Sequence, residues 1–190
     1  PKVGGANLYQ LPIGSLFTAS DGSTTYNFYT TKAYSVQYDA TEANGTTKDL
    51  VVEVFEGNSI TQRFVPDSSN LSFPKFDLLN QNIDTSTIVV SVNGSKWTPV
   101  SNETQGTNDV NNLSTIYFIE ETRDLTHRIM FGNGILGQAL NAGDEILVSY
   151  LVTNGSDANG VNAFTPAING RTDITIVSTV KAQGGGAIET

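Results

Sequence analysis

Apolar and polar side chains alternate with period two along most of the chain, the pattern of strands that rest one face on a core. Residues 25–30 (TYNFYT) put Tyr26 and Phe28 on one face, and residues 33–38 do the same with Tyr34, Val36 and Tyr38. Residues 49–55 (DLVVEVF) read as a strand, 56–59 as a turn, and 60–65 as the returning arm of a hairpin closed by Pro66. Residues 86–92 (STIVVSV) end at Asn93-Gly94, a pair that tolerates the positive φ angles of a type I′ turn; the return strand is 95–100, with the only tryptophan, Trp97. After a polar loop at 101–112, residues 114–120 (STIYFIE) and 127–131 (HRIMF) predict an antiparallel pair. Gly143-Asp144 opens a further strand at 145–152 (EILVSYLV), and 172–180 (TDITIVSTV) is the last, alternating Ile174 and Ile176 against Asp173, Thr175 and Val177. No segment keeps a 3.6-residue period; the nearest, 76–83 (FDLLNQNI), predicts one or two helical turns at most. The expected fold is all-β: short-stranded antiparallel sheets in two sandwich-like β units, with little helix.

Composition strengthens that reading. Thr, Ser and Asn supply 57 of the 190 residues and Gly 18 more, while helix formers are sparse. Thr favours strands; Asn, Ser and Gly favour turns. Only 15% of residues are charged, with 10 basic against 19 acidic, for a net charge of −9. No basic surplus exists to displace counterions from nucleic acid or to dock on anionic lipid, so neither is an expected partner. The absence of cysteine excludes disulfides and zinc–thiolate sites. No apolar run approaches the roughly 20 residues of a membrane-spanning helix.

Motifs that suggest chemistry have plainer explanations. Gly132–Gly137 (GNGILG) follows a strand and fits G-x-G-x-x-G, but Gly143 leaves room for only about one helical turn, too short for a dinucleotide-binding crossover. The lone histidine, His127, lies at the start of a strand, and no G-x-S-x-G occurs, so a Ser-His-Asp site is not expected. Glu120, Glu121, Arg123 and Asp124 form the densest charge cluster and read as solvated charge on a turn. Asp21-Gly22-Ser23 and 157–160 (DANG) lack the spaced ligands of a calcium loop and read as turns. Six N-x-[ST] sequons are little more than this composition yields by chance. The expectation is no catalysis, no metal and no cofactor.

The flanks of the glycine motif are more specific. Phe131, Gly132, Gly134, Gly137, Gly143 and Tyr150 occur in FGNGILG…AGDEILVSY, followed by TNG (153–155) and ANG (158–160) with Asn159. This series resembles the baseplate wedge proteins of T4-like contractile-tailed phages, within the wider baseplate J-like family. In that pattern Asn133 replaces a commoner Asp, and Gly160 follows Asn159 where a Gly usually precedes the Asn. Residues 11–17 (LPIGSLF) with Gly22 and Tyr26-Asn27-Phe28 resemble the family's opening block. Residues 84–92 (DTSTIVVSV) resemble another, and Gln183-Gly184-Gly185-Gly186 with Glu189 is similar to the block where the β region hands over to a helical segment. The similarity spans nearly the whole chain in the same order.

The resemblance implies a structural baseplate component in the virion tail, assembled in the host cytoplasm. Its partners would be other baseplate wedge proteins; the full-length parent would form a homodimer and help relay the trigger for contraction. Pro1 and the glycine run at 184–186 lead to the expectation of a piece excised from a longer protein. The spacing of the blocks predicts an outer β unit of 1–45 plus 153–190 around an inserted unit of 46–152, with two consecutive β domains split near 101–112 as the alternative. The strand at 172–180, next to the glycine hinge, is the expected contact edge, through Ile174, Ile176 and Val177. The rival reading is a carbohydrate-binding or adhesin-type β-sandwich of a tail fibre or cell surface, with Trp97 and the seven tyrosines as sugar platforms.

Overall fold

The computed structural model describes residues 8–37, 49–69, 71–100, 110–167 and 176–186. They form β1 (Leu8–Leu11), β2 (Leu16–Ser20), β3 (Thr25–Tyr29), β4 (Tyr34–Gln37), β5 (Phe55–Glu56), β6 (Asn58–Phe64) and β7 (Lys75–Gln81). The series continues with β8 (Ile83–Val92), β9 (Ser95–Lys96), β10 (Thr98–Pro99), β11 (Ile116–Glu121), β12 (Thr126–Phe131), β13 (Ile146–Val152) and β14 (Phe164–Pro166). Residues Gly155–Ala158 make a single 3₁₀ turn. The fold is all-β, and the chain divides into two compact units: Pro1–Asn58 with Asn154–Thr190, and Ser59–Thr153.

The Ser59–Thr153 unit is a sandwich of two four-stranded sheets, ordered β10-β11-β12-β7 and β6-β13-β8-β9. Alternation builds its core. Phe76, Leu78, Tyr117, Ile129 and Phe131 come from the first sheet; Val90, Val92, Ile146, Val148 and Tyr150 come from the second. Trp97 marks where the chain changes sheets. The Asn93-Gly94 turn has φ of 50° and 78°, as a type I′ hairpin requires. The return strand, however, lasts only through β9. Trp97 then turns into the core, 3% exposed, edge-on to Phe131 at 5.4 Å, and β10 joins β11 in parallel. The predicted strand at 95–100 is thus split, because burying one large indole requires a corner there.

The Pro1–Asn58 and Asn154–Thr190 unit holds the sheet β14-β2-β3-β5 and the pair β1-β4. Phe17 and Ala19 of β2 and Tyr26 and Phe28 of β3 pack with Ala158 and Val161, and Phe164 meets Phe28 edge-on at 4.9 Å. Tyr34 and Val36 are half-buried, and Tyr38 lies outside the described residues.

Three expectations require correction. Residues 49–54 form no strand, and no hairpin follows: β5 pairs with β3, whereas β6 lies beside β13. Gly57, at φ 145°, separates them and donates its N–H to the Asn27 carbonyl. Residues 75–81 are strand β7, not helix; Phe76 and Leu78 are buried at alternate positions while Leu79 faces solvent, so the Leu-Leu doublet imitated a helical period. Residues 176–180 hold no strand, and residues 172–175 of that predicted element lie outside the described residues.

Both sheets of the sandwich carry a large bulge, and the two are tied together. Between Ser149↔Val89 and Leu151↔Asp84, the single residue Tyr150 faces residues 85–88 of β8. Between Thr126↔Gln81 and Arg128↔Asp77, His127 faces residues 78–80 of β7. A bulge leaves ladder groups unpaired, and side chains take their place. The buried Thr87 hydroxyl accepts from the Leu151 N–H at 3.0 Å and donates to the Asp84 carbonyl at 2.7 Å. The Asp84 carboxylate receives the Ser86 amide and hydroxyl. The Tyr117 hydroxyl crosses from the other sheet to the Ile88 carbonyl at 3.0 Å. The Tyr150 hydroxyl crosses the opposite way to Asn80 Oδ1 at 2.7 Å, into the β7 bulge.

Burial pushes the Tyr117 phenol up to about 12 from 10.0. The unfolded chain therefore releases this proton first as pH rises, so the contribution of Tyr117 is intact below pH 10 and is lost between 10 and about 12. Urea denaturation across that window is expected to show stability falling with pH. Tyr117→Phe should flatten part of the slope, and an unchanged slope would contradict the assignment.

Candidate functional site

The residues singled out by sequence sit in three backbone devices. The first is the glycine loop after β12. Gly132 bridges to Ala139, and the Gly134 N–H reaches the Gly137 carbonyl at 3.1 Å. Asn133 Oδ1 accepts from the amides of Ile135 and Leu136, at 3.0 and 3.3 Å. An Asp carboxylate would present the same acceptor. Gly132 admits no side chain: a Cβ would overlap the Leu136 carbonyl oxygen and stand 2.6 Å from the Gly137 carbonyl carbon. Gly137, at φ 80°, rests on Ile116. The loop docks on a second turn, with Gly137 N–H to Asn111 O at 3.1 Å and Gln138 N–H to Ser114 O at 2.8 Å.

The second device joins the β8–β9 turn to the turn that leads into β13. Gly143 takes φ 88°, which the following Asp144 needs in order to turn back. The Asp144 carboxylate receives Asn141 N–H at 2.7 Å and Asn93 Nδ2 at 2.8 Å. Asn93 also receives the Glu145 N–H on Oδ1 and donates its own N–H to the Glu145 carbonyl. The Asn-Gly turn that sequence identified as a hairpin is therefore also a lock on β13.

The third device lies in the Pro1–Asn58 and Asn154–Thr190 unit. Asn159 makes a two-way clasp with Gly185: Nδ2 donates to its carbonyl at 2.9 Å, and Oδ1 accepts its N–H at 3.1 Å. Gly160 and Val161 exchange hydrogen bonds with Ala182. A Cβ on Gly185 would overlap the Gly155 carbonyl. Gly184 takes φ 89° beside it. Gly185 is thus held by the Asn159 clasp. The opening block forms a comparable turn. The hydroxyls of Ser15 and Thr30 both donate to the Pro12 carbonyl, and Gly14, at φ 76°, donates to Thr30 O.

His127 Nδ1 is buried without a hydrogen-bond partner, and across the ladder His127 faces Glu121. Arg128 pairs with Asp77 and lies 3.8 Å from Glu120, on the exposed face. Arg128 beside Asp77 holds that carboxyl below its usual value. Asp21 is also lowered, by the Thr24 and Ser23 amides that close its turn. Among the described residues, no group of three or more His, Asp or Glu side chains is placed to hold a metal. Trp97, Tyr26, Tyr117 and Tyr150 are all buried, which removes them as sugar platforms. Of the expected contact residues, Ile176 is half-buried against the core of its unit, Val177 is exposed, and Ile174 lies outside the described residues.

Residues 73–153 match the sequence model for the third domain of bacteriophage baseplate wedge protein gp6. That family is structural, not enzymatic. Over 116 residues the chain is 27% identical to baseplate wedge protein gp6 of Enterobacteria phage T4, a match covering 53% of this chain and 17% of that relative. The chain therefore spans only a small part of the relative's length. The glycine loop, Gly143, Tyr150 and the residue 84–92 block all fall inside residues 73–153; Asn159, Gly184, Gly185 and the opening block fall outside.

Sequence reasoning missed Thr87, which bridges the β8 bulge, and Tyr117 and Asn80, which take part in the hydrogen bonds between the sheets. The signal was present in the D-T-S-T run at 84–87, an Asx-turn sequence placed inside an apolar strand.

Gly132→Ala should cost about 2–3 kcal/mol or more, because backbone must move. Gly143→Ala, with open space around it, should cost only about 1–2 kcal/mol of left-handed strain. Urea unfolding of the two variants checks the order, and equal losses would show that the loop yields easily.

Proposed function

We propose that this chain is a structural part of a contractile-tail phage baseplate wedge, working by protein–protein assembly around the tail tube and by relaying the contraction trigger. The observation that carries the reading is the match of residues 73–153 to the third domain of baseplate wedge protein gp6. That stretch lies within the Ser59–Thr153 sandwich. The geometry agrees in kind. The motif residues hold backbone in fixed shapes.

On this reading the protein belongs in the virion tail, is built in the host cytoplasm, and meets other wedge proteins, with a parent that forms a homodimer. On the same reading the motifs of 1–45 and 153–190 belong to an outer unit of baseplate J-like type, with a unit of 46–152 inserted between them. Val177, exposed next to the segment that Asn159 clasps, is a candidate contact together with Ile174 and Ile176.

Antibody raised against this chain should decorate the baseplate end of tails from its phage in electron micrographs. Labelling of fibres alone, or no labelling of any virion part, would overturn the proposal.

A further inference from the structure

The glycine loop carries its two largest side chains outward. Ile135 is 80% and Leu136 52% exposed, and on the adjoining turn Leu113 is 75% exposed. Hydrogen bonds of Gly137 and Gln138 to Asn111 and Ser114 hold these turns together, so the three aliphatic side chains belong to one loop cluster at one end of the sandwich. The loop is too constrained to fold them in. Asn133 fixes the amides of both Ile135 and Leu136, Gly134 closes on Gly137, and Gly132 leaves no space beneath. Exposed aliphatic groups on a pre-organised loop mark a contact surface.

Charge and area define what fits there. Residues 110–119 and 132–143 contain no charged side chain, although the chain carries −9 overall. A charged partner surface would find no counterpart and would lose hydration on contact. Three aliphatic side chains cover only about 400 Å², so two tips meeting would bury well under the roughly 1,200 Å² of a stable interface. A flat self-contact is therefore too small. A projecting, uncharged knob is best covered by a concave apolar pocket that surrounds it and forms part of a larger interface.

Resting on the baseplate reading above, we propose that Ile135, Leu136 and Leu113 form a knob that inserts into an uncharged apolar pocket on a different protein of the same assembly.

The test places a photo-crosslinking amino acid at position 135 of the chain in its full-length parent, grown in the phage. Irradiated, purified baseplates are expected to yield a cross-link from position 135 to apolar residues of another baseplate protein. The double variant Ile135→Asp, Leu136→Asp should lower incorporation about tenfold or more, while the unfolding midpoint of the isolated chain stays unchanged. Cross-links to a second copy of this chain, or none in baseplates that contain it, would overturn the knob proposal alone. Absence of the parent from baseplates before any substitution would instead overturn the functional reading.

Discussion

Tyr150 stands opposite four residues of β8 and sends its hydroxyl across the sandwich to Asn80 in the bulge of the other sheet. Everything in the Ser59–Thr153 unit depends on how these two bulges are closed. A bulge frees N–H and C=O groups inside a core, where each unpaired group costs about 1–3 kcal/mol. Thr87 takes the Leu151 N–H and Tyr117 takes the Ile88 carbonyl, while Tyr150 donates to the Asn80 side chain. Two of those three bonds run between sheets. The same contacts that satisfy the bulges therefore fix how one sheet sits on the other, which apolar packing alone specifies less tightly.

With the sheets fixed, the loops at their ends become rigid supports. The Asn93–Asp144 lock ties the β8–β9 turn to the start of β13. The glycine loop closes on itself and on residues 111–114. These turns hold their shape with backbone amides, Asn and Asp side chains and glycines. The exposed ion pairs Arg63–Glu145 and Arg128–Asp77 sit on the outside and add little by comparison.

The sequence revealed the strands wherever alternation and turn chemistry agreed: β3, β8, β11, β12 and β13 all lie where period-two patterns predicted them. It misled where one residue served two demands. Residues 49–54 have the composition of a strand, yet Val52 and Val54 are only partly buried against the core and carry no ladder. Leu78-Leu79 suggested a helix because Leu79 is apolar without being buried. Trp97 looked available at the surface because its place at a corner between sheets leaves no periodic trace. The glycine positions were legible as architecture. What each glycine touches was not, since Gly132 against Leu136 O and Gly185 against Gly155 O are close approaches visible only in three dimensions.

The central claim is that side chains replacing lost ladder bonds hold the sandwich together, and the Leu151 amide reports on it directly. Native-state hydrogen exchange should be measured at Leu151 in the wild type and in Thr87→Val, a substitution that keeps the shape and removes the acceptor. In the wild type this amide should exchange only through global unfolding. In the variant it should become accessible through local opening, with global stability lower by about 1–3 kcal/mol. Equal protection of Leu151 in both proteins, with unchanged stability, would contradict the account.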